Sequence, residues 1–335
     1  MLKNWRIWLG LLISLAFLYW VLGQVEDFGR LTTALREAQY GYLAPAIVVY
    51  FIGVWLRTIR WHFLLRPNKH VSWRRLFPVV VIGYMANDVL PARMGEFVRA
   101  YVLSQKEDIR KSTCLATIVL ERVFDGLAML SFLAIVGLLF SFSPTVQSIA
   151  IITGSLFVSA LAVLLLTAAR PAAAERLVGR ILPLLPHRFR QSVQRMACSA
   201  LLGLKALRSG RAVLAVFGLS LGAWTMEAGM YYLVGLGFFS DLPLPAVLLT
   251  VAVANLGTMI PSSPGYVGTF HALVVFSLAL FGLGGETALA FATVLHATLV
   301  IPVTLWGFYY LWRENLSFGR LTSARAASLS SPTVD

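Results

Sequence analysis

Residues 87–99 place a helix breaker and several charges inside a hydrophobic segment. The stretch contains Asn87, Pro91 and Gly95 together with four charged residues: Asp88, Arg93, Glu96 and Arg99. Charges at membrane depth are costly unless they are paired or hydrated, so they mark a functional site by default. The backbone groups freed by a proline are tolerated there only when they line a cavity or are buried in protein. The alternative is a kinked helix held by an internal Arg93–Glu96 pair.

The residue types around this break favour anion binding. A half-helix is predicted to begin at about Arg93, and a helix N-terminus favours anions through its N–H groups and dipole. Arg93 and Arg99 add guanidinium groups, which can bind phosphate through two parallel hydrogen bonds, and Asn87 and Gly95 are the other candidate phosphate contacts at this break. A second break predicts another half-helix, starting at about Val267. Its candidate contacts to a lipid headgroup are hydroxyl and backbone groups of Ser262, Ser263, Gly265, Gly268 and Thr269.

A second group of charges follows in the next hydrophobic segment. Glu121 and Asp125 are four residues apart and share a helix face. At 1.5 Å per residue they lie roughly 13 and 20 Å into a core about 30 Å thick. They need cationic partners, and the arginines available in the sequence nearby are Arg93, Arg99 and Arg122. Two hypotheses follow for Glu96, Glu121, Arg122 and Asp125. They form either a buried network that clamps the chain, or a gate that releases an arginine to a lipid phosphate or takes up a proton.

The composition identifies an integral membrane protein. Of the 335 residues, 58% are hydrophobic and 13% are charged, whereas soluble domains carry about 25% charged residues. The net charge of +13 falls in short loops between hydrophobic segments, which argues against nucleic-acid binding and for contact with anionic lipid. His271 and His296 lie in apolar segments and are expected to be core residues or, less readily, proton carriers. The sequence predicts neither a metal site nor a cofactor.

Charge distribution predicts the topology. Six full spans are expected, at 5–22 (a retained signal-anchor), 41–65, 112–140, 149–169, 212–238 and 288–312. Basic segments lie on the cytoplasmic side. They include the end of the second span, with Arg57, Arg60, Arg66, Lys69, Arg74 and Arg75, and the loop 170–211, with nine Lys or Arg residues against one acid. Every basic segment falls on that side only if 76–104 and 244–281 each enter the membrane and return on the same side. The prediction is thus an all-α polytopic protein with six spans and two re-entrant helical hairpins of opposite orientation. Both termini are expected in the cytoplasm, with residues 1–316 as one membrane domain and 317–335 as a disordered tail.

The two breaks resemble each other in sequence. Residues 91–97 align with residues 264–270, since both follow the pattern Pro-x3-Gly-x-Phe. Each hairpin is preceded and followed by a span, which defines repeat units 41–140 and 211–312. Inverted repeats whose broken helices meet at mid-membrane are typical of transporters.

Three motifs in this order resemble the flippase-like family, also called the lysylphosphatidylglycerol synthase transmembrane region. They are Asn87-x3-Pro91-x-Arg93-x-Gly95-Glu96-x2-Arg99, then Glu121-Arg122-x2-Asp125, then Pro261-x2-Pro264-Gly265-x2-Gly268-Thr269-Phe270. The resemblance extends from the first span to about Trp312 and implies a multi-pass protein of the cell inner membrane that moves lipids between leaflets. His271 stands where many relatives are expected to carry glutamate. The chain is expected to lack the aminoacyltransferase domain of two-part members, so synthase activity is not predicted.

The sequence is compatible with three functions. The leading hypothesis is a translocase, itself not an enzyme, for an anionic or polyprenyl-phosphate-linked lipid. The second is a membrane enzyme that transfers glycosyl or phosphoryl groups to a lipid phosphate. The third is an accessory partner of a lipid-synthesis enzyme.

Overall fold

The structure, a computed structural model, describes residues 5–90, 94–140, 210–257, 262–314 and 316, with isolated positions between 155 and 194. Within these ranges the regular elements are helices, which confirms the predicted all-α membrane fold. Apart from isolated positions and residues 210–211, the predicted span 149–169, the basic loop 170–211 and the tail 317–335 lie outside the described residues, as do Pro91 and Arg93.

The described residues form ten α-helices joined mostly by short connections. They are α1 (Trp5–Leu22), α2 (Phe28–Glu37), α3 (Leu43–Leu65), α4 (Trp73–Val89), α5 (Gly95–Glu107), α6 (Lys111–Leu139), α7 (Gly210–Leu236), α8 (Leu244–Gly257), α9 (Thr269–Ala279) and α10 (Gly285–Arg313). Four of them, α3, α6, α7 and α10, are long and apolar enough to cross a membrane, while α1, α8 and α9 are apolar but shorter. The coarse prediction of a multi-span protein is therefore confirmed.

Helices α4 and α5 form a close antiparallel pair. A Cβ atom on Gly95 would collide with the backbone oxygen of Gly83, so only glycine permits this approach. At the open end of the pair, Arg75 Nη1 lies 3.4 Å from Glu107 Oε1, and Lys69 Nζ donates to the Glu107 carbonyl. With 17 and 13 residues, the helices are about 26 and 20 Å long, shorter than a core of about 30 Å. The chain thus enters and leaves this pair at one end of the molecule.

Ion pairs and hydrogen bonds show which other segments share an end. The end of α5 contacts the end of α10, since Lys106 Nζ lies 2.6 Å from Glu314 Oε2. At the opposite end of α10, Glu286 Oε1 accepts a hydrogen bond from the Asp27 N–H at 3.1 Å. Among the described residues, the segments around Lys69, Glu107 and Glu314 therefore lie together, and the segment around Asp27 lies at the other end of α10.

The packing of the helices is reciprocal between the two halves. Helix α3 packs on α7, α4 packs on α10, and α8 packs on α6. Within the halves, α4 pairs with α5 and α8 with α9, and α5 and α9 contact α6 and α10 respectively. Exchanging α3–α6 for α7–α10 leaves this pattern of neighbours unchanged. The central α3–α7 contact is close, because a Cβ atom on Gly53 would lie 3.1 Å from the Ala223 carbonyl oxygen.

Candidate functional site

Arg60 stands at the centre of a buried network of charged side chains. Its Nη1 donates to Asp125 Oδ1 at 2.6 Å and to Ser220 Oγ at 2.8 Å, and its Nη2 donates to Glu121 Oε1 at 3.3 Å. Only 2% of its side chain is exposed. Because α3 carries the arginine, α6 the two acids and α7 the serine, one side chain joins three helices.

Glu121 extends the network to α5. Its Oε2 lies 2.8 Å from Arg99 Nη2, an ion pair without hydrogen-bond geometry between these two atoms. The Arg99 guanidinium stacks over Trp61, with Cζ 4.1 Å from the ring centroid, and Trp61 Nε1 donates to Thr117 Oγ1 at 3.0 Å. Arg99 is thus enclosed by a carboxylate and an aromatic face.

Asp125 extends the network in the other direction. Its Oδ2 lies 3.4 Å from Arg122 Nη1, and Arg122 Nη2 lies 3.3 Å from Glu96 Oε1. The Arg122 side chain is 38% exposed, and its Nε has no hydrogen-bond partner among the described residues. The full sequence of contacts runs Arg99, Glu121, Arg60, Asp125, Arg122, Glu96. Three arginines face three carboxylates, so the formal charges cancel, as a membrane interior requires.

A second ion pair lies beside this network. Arg57 Nη2 is 2.6 Å from Glu227 Oε2, and the Arg57 guanidinium lies over the Trp224 ring, 4.3 Å from its centroid. Trp224 Nε1 donates to Asp125 Oδ1 at 2.9 Å, which connects the pair to the network through one aromatic side chain. The pair joins α3 to α7, one helix from each half.

The two chain breaks meet in the middle of the molecule. At the first, the Gly95 N–H donates to Asn87 Oδ1 at 2.7 Å. Gly265, at the second break, has a φ of +69°, and a Cβ atom there would lie 3.3 Å from the Asp88 backbone oxygen. Helix α10 contacts both breaks: Thr304 Oγ1 donates to Asp88 Oδ2 at 2.9 Å, and His296 Nε2 lies 2.7 Å from the Gly265 carbonyl oxygen. Since a carbonyl only accepts, His296 must carry a proton on Nε2.

Helix α1 covers the second break. The Ser263 N–H donates to Ser14 Oγ at 2.8 Å. Gly268, with a φ of +86°, packs against the Ser14 backbone oxygen so closely that a Cβ atom would collide with it. Ser262 Oγ and Thr269 Oγ1 are buried without a hydrogen-bond partner among the described residues. Two hydroxyl groups at this break are thus available to a ligand.

A central cavity of about 170 Å³ lies where the two breaks and the charged residues converge. It is lined from both halves, by aromatic rings and by a set of polar and charged side chains that includes Arg57, Asn87, Asp88, Arg122, Glu227 and His296. The cavity is therefore lined by two arginines, two acids, two amides (Asn87 and Asn255) and an imidazole within the helix bundle.

Most of the predicted site residues fall into three separate clusters in the structure. Glu96, Arg99, Glu121, Arg122 and Asp125 form the network. Asn87 and Gly95 close the first break, and Ser262, Ser263, Gly265, Gly268 and Thr269 form the second. Arg99 does not line the central cavity, and Arg93 lies outside the described residues.

Sequence reasoning missed three charged residues of the site. Arg57 and Arg60 were assigned to the basic flank at the cytoplasmic end of their span, and Glu227 was not considered. The structure corrects the first assignment, because both arginines are buried and paired with acids. The available signal was that Arg57 and Arg60 lie on one helix face inside an apolar stretch, where two charges need partners.

Comparisons with known proteins identify relatives along nearly the whole chain. The family described as the lysylphosphatidylglycerol synthase TM region matches residues 7–307. A UPF0104 membrane protein of Methanothermobacter thermautotrophicus is 27% identical over 300 residues, which cover 85% of this chain and 87% of that protein. The glycosyltransferase AglD of Haloferax volcanii is 31% identical over 309 residues, covering 81% of this chain and 48% of AglD. This chain thus spans about half the length of AglD.

No solved structure matches this chain. The match over residues 7–307 confirms the resemblance expected from the three motifs, and the four long apolar helices agree with it. The chain belongs to the lysylphosphatidylglycerol synthase TM region family of polytopic membrane proteins.

Proposed function

We propose that this protein is a translocase that moves an anionic or polyprenyl-phosphate-linked lipid across the cell inner membrane. The observation that carries the proposal is the meeting of two chain breaks, at Asp88 and Gly265, beside a charged cavity inside the bundle. Irregular backbone at membrane depth is tolerated where it lines a cavity. Transporters place their binding sites where broken helices meet near the midplane.

The reciprocal packing supports an inverted repeat. Swapping the two halves preserves the helix neighbours, as a pseudo-two-fold axis in the membrane plane would require. In the first half, the contacts of Lys69 and Arg75 with Glu107 support a hairpin that enters and leaves on one side. Two opposed re-entrant hairpins between full spans give two alternative routes to a common central site.

The chemistry of the cavity suits a phosphate headgroup. Arg57 and Arg122 are the cavity's arginines among the described residues, and a guanidinium binds phosphate bidentately. Arg122 is the better placed of the two. Its two ion pairs are long, at 3.3 and 3.4 Å, and its Nε has no partner among the residues that the structure describes. A phosphate can therefore compete with Glu96 and Asp125 for this side chain, which is the gate predicted from the sequence.

A separate apolar groove is available for the lipid tails. The central cavity of about 170 Å³ accommodates a polar headgroup, and a mainly apolar groove of about 520 Å³ lies between α1 and α9. Ile13, Phe17, Trp20 and Phe276 line this groove. A headgroup inside the bundle with its tails outside matches the requirements of moving an amphipathic molecule.

Reconstitution tests the proposal directly. Vesicles containing the purified protein would receive fluorescently labelled phosphatidylglycerol, or a labelled polyprenyl phosphate, in the outer leaflet. We expect the label to become protected from a membrane-impermeant quencher with the wild-type protein and with Arg66→Ala, an exposed arginine just after α3. Arg122→Ala should lower the rate at least tenfold while its unfolding temperature stays near that of the wild type. Equal protection with and without protein would contradict the proposal.

The similarity to AglD favours a second candidate. AglD is named a glycosyltransferase, and this chain matches about half of it. The protein would then act on a lipid phosphate as an enzyme, or as a subunit beside one. An enzyme changes the mass of its lipid, whereas a translocase changes only the leaflet, so mass spectrometry of the recovered lipid separates the two.

A further inference from the structure

Asp88 is placed unlike the other charged residues of the central cavity. Its carboxylate accepts one hydrogen bond, from Thr304 Oγ1 at 2.9 Å, and no Lys, Arg or His nitrogen among the described residues lies within 4.0 Å. It ends α4, about 22 Å along the helix from Trp73. A carboxylate at such depth is costly without a compensating positive charge.

The neighbouring charges are already committed to partners. Arg57 pairs with Glu227, and Arg122 pairs with Glu96 and Asp125. The other titratable groups that line the cavity around Asp88 come from α3, α4, α10 and the segment before α9, and they are Tyr50, Tyr84, Tyr231 of α7, Tyr266 and His296. His296 is occupied by the Gly265 carbonyl. Among the residues that the structure describes, no cationic side chain is left to balance the charge of Asp88.

We propose that Asp88 is the site that binds a coupling proton, so that its protonation accompanies lipid movement. The inference rests on the proposed translocase function and adds its source of energy. A proton taken from water on one side of the membrane joins a carboxylate oxygen, and the neutral carboxyl releases it on the other side. A carboxylate oxygen only accepts, whereas the protonated group can donate to Thr304 Oγ1, so the Asp88–Thr304 bond can reverse its direction.

The location of Asp88 explains how its charge can affect the whole molecule. Its backbone oxygen contacts Gly265 at the second break, and its side chain is held by α10, which also holds that break through His296. A change of charge at this point weakens or strengthens a contact shared by both hairpins. Those are the elements that must move relative to each other if access to the cavity alternates.

Infrared spectroscopy tests proton binding without any transported lipid. The probe is wild-type protein in phosphatidylcholine vesicles, which contain no anionic lipid, and the neutral carboxyl group has a C=O stretch separate from that of a carboxylate. We expect a neutral-acid band that disappears as the pH is raised and is absent in Asp88→Asn. Glu107→Gln, which changes an acid in ion pairs at the end of the molecule, should keep the band. Thr304→Val should keep it to higher pH, because the donor that stabilises the carboxylate is lost.

Two results would overturn the proton site. One is a spectrum whose neutral-acid region is the same in wild type and Asp88→Asn at every pH. The other is a carboxylate that responds to sodium and not to pH, which would assign the site to a metal cation.

Lipid redistribution tests the coupling separately. A pH difference of one unit can support at most a tenfold lipid asymmetry per proton, because one unit equals a factor of ten in an equilibrium constant. We expect an asymmetry approaching that value for wild type and none for Asp88→Asn. Absence of wild-type redistribution with a normal infrared response would refute the translocase and retain the proton site. Redistribution that ignores the pH difference would refute the coupling and retain the translocase.

Discussion

Arg60 is the residue whose loss should destabilise the protein most. It is buried and pairs with both Glu121 and Asp125. Removing one partner of a buried ion pair leaves an uncompensated charge and costs about 3–5 kcal/mol. We therefore expect Arg60→Ala to lower the free energy of unfolding by about that amount, measured by denaturant unfolding in detergent micelles. Arg66→Ala, at an exposed arginine one and a half turns later, is the matched control.

A double mutant separates pairing from simple loss of side-chain packing. Arg60→Ala combined with Asp125→Ala should cost clearly less than the sum of the two single changes, because the second change removes a charge that the first left unpaired. Additive effects would show that the two side chains do not interact in the folded protein.

Arg99 and Arg122 should behave differently although both belong to the network. Arg99 is enclosed by Glu121 and Trp61 and lies away from the central cavity, so Arg99→Ala should reduce stability by about 3 kcal/mol. Arg122 is more exposed and lines the cavity, so Arg122→Ala should reduce lipid transfer with little loss of stability. Unfolding curves and transfer rates of the two variants, measured side by side, check the contrast. A reversed pattern would assign ligand contact to Arg99.

Arg93 lies outside the residues that the structure describes and remains a predicted ligand of a lipid phosphate. If Arg93 holds a lipid phosphate, Arg93→Ala should fold normally and lose transfer, and Arg93→Lys should recover only part of it, because an ammonium lacks the planar fork of donors. If Arg93 instead balances an acid, Arg93→Ala should unfold more easily, and neutralising Glu96 or Asp125 as well should restore stability. Melting temperature and transfer rate together decide between these outcomes.

Local sequence predicted the acids of the network but not all of their partners. Glu121 and Asp125 were recognised because two acids on one face of an apolar helix need cations. Arg60 and Arg57 were not assigned to them, because both continue into a run of basic residues that looks like the end of a span. Arg60 lies 61 and 65 positions from its acids, and Arg57 lies 170 from Glu227. The spacing of Arg57 and Arg60 indicates that they need partners, but which acids they pair with depends on the tertiary fold.

At the scale of elements, the α4–α5 pair depends on one backbone contact. Gly95 faces the Gly83 carbonyl without room for a side chain, so Gly95→Ala should cost about 1–3 kcal/mol or more through overpacking. Gly137 in α6 has no atom near its Cβ position, so Gly137→Ala should instead stabilise by about 0.5–1 kcal/mol, because glycine is unfavourable inside a helix. Thermal unfolding of the two variants should shift in opposite directions. A tolerated Gly95→Ala would mean that the two helices are farther apart than described.

The positions of prolines and glycines predicted the two breaks. They also predicted the starts of the following helices to within two residues. Half-helices were expected from about Arg93 and Val267, whereas the structure starts α5 at Gly95 and α9 at Thr269. Helix α9 starts later than predicted because Gly265, Tyr266 and Gly268 have φ values of +69°, +60° and +86°. Such left-handed conformations cannot continue a right-handed helix. The positive φ of Tyr266 was not evident from residue type, since only glycine adopts this region freely.

At the scale of the whole molecule, hydrophobicity and charge predict how the loops are grouped. The distribution of basic loops predicts that 76–104 returns to the side on which it entered. Among the described residues, Lys69 and Arg75 contact Glu107, and Lys106 contacts Glu314, so these chain ends lie together. What the sequence could not supply was the reciprocal packing of the halves, because it depends on which helix faces fit together. The retention of basic loops predicts which group of loops faces the cytoplasm.

Cysteine accessibility decides that orientation. With both native cysteines replaced, single cysteines introduced near Lys69, Lys106 and Arg190 should react with a membrane-impermeant maleimide only when the cytoplasmic face is open. Cysteines near Thr145 and Gly284 should react from outside in intact cells. The expected pattern follows from the retention of basic loops on the cytoplasmic side. It also assumes that the α4–α5 pair enters the membrane and leaves it on that same side. Labelling of the positions near Lys69 and Lys106 from opposite faces would show that the α4–α5 segment crosses the membrane, and the proposed pair of opposed hairpins would then be wrong.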